Sequence, residues 1–222
     1  MEQPVKIKLC GLFRDEDMEY ANEARPDYIG FVFAESRRRV SAEQAARLRK
    51  RLADGVICVG VFVHAPPPCI ASLYHEGIID MAQLHGSGDD ASIPALRFLT
   101  AGGARGAIPI IQALRMEDAE SPRFPAWPER PDYLLLDHGG GGTGLSFDWT
   151  ALAGSRGLVL GIPYFLAGGV TVDNIRAALS YGPFGVDVSS GAEQNGLKDR
   201  EKMLRLVQAV REQDSAPGAA LQ

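Results

Sequence analysis

Short apolar runs recur along the chain, each ending in polar residues or glycine and followed by a stretch of helical spacing. Val5-Lys6-Ile7-Lys8-Leu9 ends in Cys10-Gly11, and Tyr133-Leu134-Leu135-Leu136 ends in Asp137. Gly185-Val186-Asp187-Val188 ends in Ser189-Ser190-Gly191. Eight such runs read as strands, over 5–10, 28–33, 57–63, 79–84, 107–112, 133–137, 163–167 and 185–189. Most lack polar alternation, as strands covered on both faces do. The fifth is the poorest, because Pro109 falls inside it and proline cannot donate to a ladder.

The gaps carry helix signals. Ser41 and Gln44 have capping-box spacing, with Ala45, Leu48 and Leu52 on one face and Gly55 as a stop. Thr171 and Asn174 open a second helix that presents Ile175, Ala178 and Leu179 and closes at Gly182. A last helix begins near Asp199 and buries Met203, Val207 and Val210. The four prolines in 121–131 read as a loop. Eight strands alternating with helices predict an α/β fold, a single-domain (β/α)8 barrel of the TIM type. The barrel is expected over 1–212, with a frayed tail over 213–222.

Composition narrows the function classes. A chain of 222 residues suits one barrel, and 45% hydrophobic with 23% charged residues is ordinary for a globular protein. The net charge of -5 argues against nucleic acid or an anionic membrane as partner. The odd count of three cysteines argues against a disulfide framework and for the cytoplasm. The N-terminus has no basic start and no apolar signal core, and no run reaches the roughly 20 apolar residues of a membrane span.

Parallel barrels gather their chemistry at the carboxyl ends of the strands. Alternation along the first strand turns Val5, Ile7 and Leu9 toward the helices, and Lys6, Lys8 and Cys10 into the barrel. Cys10 thus points into the mouth, as a reactive thiol or as a small buried hydrophobe. Cys58 and Cys69 are read as structural, and no cysteine pair has zinc-ligand spacing. Asp137, after three leucines, is costly to place without a purpose: partial burial would keep it protonated near neutrality, as a general acid requires, or it accepts hydrogen bonds from the N–H groups of the glycine loop that follows. Asp187 shares a strand face with Ser189 and points inward. His85 falls at a strand end, where a structural role competes with a functional one.

Two glycine turns, Gly168-Gly169 and Ser189-Ser190-Gly191, follow strands seven and eight, where barrels bind phosphate through backbone N–H groups. Gly139, Gly141 and Gly144 form a GxGxxG that opens no helix, so a loop over the site is the better reading for Gly141, Gly142, Thr143 and Gly144. Arg37-Arg38-Arg39 follows strand two, either as a solvated face or to grip a carboxylate in a bidentate fork.

These segments together resemble phosphoribosylanthranilate isomerase. The resemblance lies in Lys8-Leu9-Cys10-Gly11, Gly30-Phe31-Val32-Phe33 with Ser36-Arg37-Arg38, Val59-Gly60-Val61-Phe62, Gln83-Leu84-His85-Gly86 and Leu135-Leu136-Asp137. Gly141-Gly142-Thr143-Gly144 with Phe147-Asp148-Trp149, Ala167-Gly168-Gly169 and Val186-Asp187-Val188-Ser189-Ser190-Gly191 complete it, in family order. Leu9 stands where isoleucine is usual, and Leu145 where a lysine is common.

The resemblance implies an isomerase of tryptophan biosynthesis. It would convert N-(5-phosphoribosyl)anthranilate to 1-(2-carboxyphenylamino)-1-deoxy-D-ribulose 5-phosphate by an Amadori rearrangement. It implies Asp137 as general acid and Cys10 as general base, with a nearby cation or the phosphate-binding dipoles needed to favour the thiolate. It puts the anthranilate-binding arginine at Arg38, with His85 and Asp187 also at the substrate. Gly168, Gly169, Ser189, Ser190 and Gly191 would hold the phosphate. The resemblance implies no metal or cofactor, and a monomer or homodimer acting on a small phosphosugar. The alternatives are another phosphosugar barrel enzyme, such as indole-glycerol-phosphate synthase or ribulose-phosphate epimerase, and a non-catalytic phosphosugar-binding protein. The first enzyme would call for a lysine acid and the second for histidine and acidic metal ligands.

Overall fold

The computed structural model describes residues 4–85, 92–115, 129–137 and 161–215. Eight strands close into a barrel: β1 (Lys6–Cys10), β2 (Tyr28–Val32), β3 (Ile57–Phe62), β4 (Met81–His85), β5 (Ile110–Arg115), β6 (Tyr133–Asp137), β7 (Tyr164–Leu166) and β8 (Gly185–Val188). Every neighbouring pair is parallel, and β8 returns to β1. The helices among the described residues are α1 (Asp15–Ala24), α2 (Ala42–Arg49), α3 (Pro67–His75), α4 (Ser92–Thr100), α5 (Ile175–Leu179) and α6 (Arg200–Ser215). After β8 come a 3-10 turn, Ser190–Ala192, and a small hairpin of β9 (Glu193–Gln194) and β10 (Leu197–Lys198).

The predicted strands all form, and two of them shift. Strand β4 starts at Met81 rather than residue 79, so His85 is its last residue. Strand β5 starts after Pro109, whose carbonyl still accepts the Ala82 N–H at 3.0 Å; the missing N–H costs the ladder nothing. Ser41 caps α2 by accepting the Gln44 N–H at 3.1 Å, but the Gln44 side chain donates to the Phe13 carbonyl instead of closing a capping box. Helix α6 runs to Ser215, so the first residues of the expected tail are helical, and 216–222 lie outside the described residues. Most of the proline-rich loop also lies outside them.

Two cores follow from the alternation of side chains along the strands. The outer core packs Ile7, Leu9, Ile29, Val186 and their neighbours against the helices. The inner core is aromatic in part: the Phe165 ring meets Tyr28 edge-on at 5.3 Å and Phe184 at 5.2 Å between centroids. These rings plug the lower barrel, and polar side chains are left to its upper end.

The lower face is tied by a repeated device. Asp27, Asp80 and Asp132 each directly precede an even-numbered strand and accept a backbone N–H from the strand before it. The acceptances are from Ile7 at 2.9 Å, Cys58 at 2.8 Å and Ile110 at 2.8 Å. Each carboxylate also meets an arginine from an outer helix: Arg211 of α6, Arg49 of α2 and Arg97 of α4. Barrel floors serve stability, and this one frees the opposite face for chemistry.

Candidate active site

Strand β1 delivers the first group. Lys8 is completely buried inside the barrel, and its ammonium donates to Asp187 Oδ1 at 2.6 Å. The register of β1 with β8 sets Lys8 directly beside Asp187. One pleat higher on the same face is Cys10, 7% exposed, opposite Gly30 of β2. A Cβ on Gly30 would stand 2.8 Å from the Cys10 sulfur and 3.3 Å from the Lys8 nitrogen. Glycine at that place leaves room for the thiol and the ammonium together.

Electrostatics around the thiol are balanced against each other. Burial pushes the Cys10 thiol up, Lys8 and Lys198 pull it down, and Asp187 pushes it up again. The net direction is upward, so the cation expected beside the thiol is present but does not outweigh burial. Burial disfavours the Lys8 ammonium, yet Asp187 and Cys10 more than offset that and hold its pKa above the ordinary lysine value.

The opposite wall is supplied by β4 and β6. Asp137 and His85 end their strands and are half-buried. Beneath His85 lies Gln83, also facing inward, whose buried Oε1 has no hydrogen-bond partner among the described residues. Cys10, His85 and Asp137 are thus the last residues of their strands, and Asp187 lies one pleat below Cys10 beside Lys8. Gly141, Gly142, Thr143 and Gly144 lie outside the described residues.

The two glycine turns meet. Gly168 and Gly169 follow β7 with φ of 86° and 73°, values that favour glycine. Gly191, in the turn after β8, packs so closely on Val170 that a Cβ would overlap the Val170 carbonyl. Among the described residues, the N–H groups of Gly168, Gly169, Ser190 and Gly191 donate to no protein acceptor. Unspent N–H groups converging from two adjacent turns suit an anion. Ser189 Oγ reaches back to the Cys10 carbonyl at 3.4 Å, joining this edge to the thiol strand.

Arg38 crosses over Gly11, whose φ of 79° and missing Cβ make way for it. Its side chain is 13% exposed, against 56% for Arg37. Arg38 grips Glu193 in a fork, Nε to Oε1 at 2.6 Å and Nη2 to Oε2 at 3.1 Å. Buried Lys198 donates to Glu193 Oε1 and to the Ser189 carbonyl, each at 2.9 Å. Burial resists the Glu193 charge, but bonds from Arg38 and Lys198 outweigh it and lower the carboxyl's pKa. Burial lowers the Lys198 ammonium despite Glu193.

Glu193 and Lys198 are additions to the site drawn from the sequence, and so is the pairing of Lys8. Their signal was an Asn195-Gly196 dipeptide, both residues at positive φ, that turns the β9–β10 hairpin. Of the other cysteines, Cys58 is buried and Cys69 exposed. No group of three or more metal-ligating side chains occurs among the described residues. None of the described helices is long and apolar enough to cross a membrane.

The family model described as N-(5'phosphoribosyl)anthranilate (PRA) isomerase matches residues 7–209. The N-(5'-phosphoribosyl)anthranilate isomerase of Endomicrobium trichonymphae is 38% identical over 211 residues, covering 93% of this chain and 98% of that one. The crystal structure of phosphoribosyl anthranilate isomerase from Thermus thermophilus superposes with a TM-score of 0.79 at 29% identity, over 94% of this chain and 100% of that one. A phosphoribosyl anthranilate isomerase solved in complex with reduced 1-(o-carboxyphenylamino)-1-deoxyribulose 5-phosphate gives 0.74 at 28% identity, over 94% and 99%. By fold and by sequence along nearly its whole length, this chain belongs to the N-(5'-phosphoribosyl)anthranilate isomerase family.

Proposed function

We propose that the chain catalyses the Amadori rearrangement of N-(5-phosphoribosyl)anthranilate to 1-(2-carboxyphenylamino)-1-deoxy-D-ribulose 5-phosphate. The observation that carries this reading is the inward-facing thiol of Cys10, set above the buried Lys8–Asp187 pair in a barrel whose sixth strand ends in Asp137.

Asp137 gives its proton to the furanose ring oxygen. The C1–O bond breaks, and the anilino nitrogen lone pair forms the C1=N bond of a protonated Schiff base. The Cys10 thiolate then takes the C2 proton, and the C2–H electrons neutralise the iminium as an enolamine. The enolamine tautomerises to the ketone by losing its enol proton and gaining one at C1; the Cys10 thiol gives up its proton and the Asp137 carboxylate regains one, so both groups are restored and atoms and charge balance over the cycle. Lys8 and Lys198 favour the thiolate that this step needs, against the burial that opposes it.

Arg38 holds the anthranilate carboxylate, and His85 and Asp187 border the sugar. Backbone N–H groups at Gly168, Gly169, Ser190 and Gly191 hold the phosphate, beside Ser189. The enzyme acts on a small phosphosugar as a monomer or homodimer, in the cytoplasm, a setting that suits three free cysteines. The test is the fluorescence of phosphoribosylanthranilate made in situ: pure folded protein should consume it. A protein that binds the phosphosugar without consuming it is a binding module, and the proposal fails.

A further inference from the structure

Glu193 is a carboxylate saturated with cations. Its Oε1 accepts Arg38 Nε and Lys198 Nζ, and its Oε2 accepts Arg38 Nη2 and, at 2.5 Å, Arg37 Nη2. The residue is buried, and the cluster around it is net positive. A guanidinium is a rigid planar fork, so whatever holds one of its edges fixes the direction of the others. Glu193 takes the Nε–Nη2 edge of Arg38, which leaves the Nη1 side for a second anion.

The hairpin that carries Glu193 is itself anchored. Lys202 Nζ donates to the Glu193 carbonyl at 2.7 Å, and Arg14 Nη2 donates to the Lys198 carbonyl at 3.0 Å. Gly196 at the turn leaves room for Arg37 Nη1, where a Cβ would crowd it. The carboxylate therefore has little freedom to move away from the arginines.

We infer that Glu193 is a positioning residue for substrate selection: by gripping one edge of Arg38 it aims the other at the aromatic carboxylate of the substrate. This rests on the reading that Arg38 holds that carboxylate. Lys198 balances the charge and links the clamp to the Ser189 carbonyl, beside the phosphate turns. A residue with a purely structural role would weaken all ligands alike, whereas an aiming residue acts on the carboxylate alone.

The test uses two probes, reduced 1-(o-carboxyphenylamino)-1-deoxyribulose 5-phosphate and the same molecule without its carboxylate. Dissociation constants are measured for the wild type, Glu193→Gln, Arg38→Met and the double variant. Glu193→Gln should weaken the carboxylated probe by about tenfold or more and leave the other within about twofold, the scale of one charge-assisted hydrogen bond. In the Arg38→Met background, Glu193→Gln should add nothing to the loss of carboxylate preference. If Arg38→Met abolishes the preference and Glu193→Gln keeps it, the inference falls while the reading of Arg38 stands. If Arg38→Met keeps the preference, that reading falls and the inference with it. Should Glu193→Gln not fold, Glu193→Asp, which withdraws the carboxylate by one methylene, gives the same comparison.

Discussion

Gly30 and Cys10 face each other across the β1–β2 ladder, so closely that a methyl group on Gly30 would press on the thiol at 2.8 Å. The same methyl would lie 3.3 Å from the Lys8 ammonium. Gly30→Ala should therefore displace the base and its cation together. The expected result is a fall in kcat of about tenfold to a hundredfold, the scale of a misplacement near 1 Å. Thermal stability should fall too, by the roughly 1–3 kcal/mol scale of overpacking a buried site, since the added Cβ also meets the Cys10 Cα at 3.2 Å. Steady-state kinetics beside a melting curve check this, and unchanged kcat would remove Cys10 from the chemistry.

The thiol also sets a pH dependence. Its pKa is raised, so at any pH below it the thiolate fraction is smaller than for an ordinary cysteine and grows about tenfold per pH unit. kcat/KM needs protonated Asp137 as well as the thiolate, so the thiol is read alone by iodoacetamide inactivation, which should climb through neutrality and still be rising at about pH 8.5, where a free thiol is half ionised. Lys8 lowers the thiol's pKa, so Lys8→Met should move the rise further to alkaline pH. It also strips buried Asp187 of its partner, at a cost of about 3 kcal/mol or more in stability. An inactivation profile levelling off below neutrality in the wild type would contradict a thiol held above its ordinary pKa.

Arg38 and Arg37 should separate in a kinetic comparison. Both touch Glu193, but Arg38 is largely enclosed and Arg37 mostly exposed. Arg38→Met should raise KM about tenfold or more with a smaller change in kcat, since it removes binding common to the ground and transition states. Arg37→Met should change KM much less. The reverse ranking would move the carboxylate site by one residue.

How far the sequence carries such arguments depends on the range of the contact. Alternation along β1 places Lys8 and Cys10 on the inner face without any knowledge of the fold, because side-chain direction is local. The partner of Lys8 is not local: Asp187 meets it only because β8 closes on β1, 179 positions away in sequence. Glu193 and Lys198 escape notice for the same reason, since their charges gain meaning only when the loop after β2 folds over the hairpin after β8. Strand β4 is misplaced by two residues because Ile79 is apolar but belongs to the approach, where its N–H bonds the Leu73 carbonyl at 3.4 Å. The floor device leaves a trace in the sequence, Arg25-Pro26-Asp27-Tyr28 against Arg130-Pro131-Asp132-Tyr133, whose purpose emerges only from the strand register.

That floor yields a prediction about stability alone. Asp132→Ala removes the acceptor of the Ile110 N–H and one partner of Arg97. The loss should be about 1–3 kcal/mol, the cost of leaving a largely buried donor unpaired. Denaturant unfolding should show it, while kcat and KM of the folded enzyme stay at wild-type values. A large fall in kcat without loss of stability would mean that the floor and the mouth are coupled.

Gly191→Ala tests the anion site by crowding rather than by charge. Gly191 is not at positive φ, so what it needs is space: its Cα lies against the Val170 carbonyl. The Val170 loop cannot easily retreat. Asn174 Nδ2 holds the Gly169 carbonyl at 2.9 Å, and Asn174 Oδ1 holds the Thr171 N–H at 2.7 Å. An added methyl must then push the turn after β8 away from the turn after β7, and the N–H groups at Gly168, Gly169, Ser190 and Gly191 no longer converge. KM should rise about tenfold or more, and inhibition by inorganic phosphate should weaken in parallel. Gly55→Ala is the control: it sits at φ of 89° with nothing within 4 Å of its would-be Cβ, so it carries backbone strain without crowding. It should cost about 1 kcal/mol or more of stability and leave KM and phosphate inhibition unchanged. If Gly191→Ala behaves like Gly55→Ala, the two turns do not share an anion, and the phosphate must be held elsewhere around the barrel mouth.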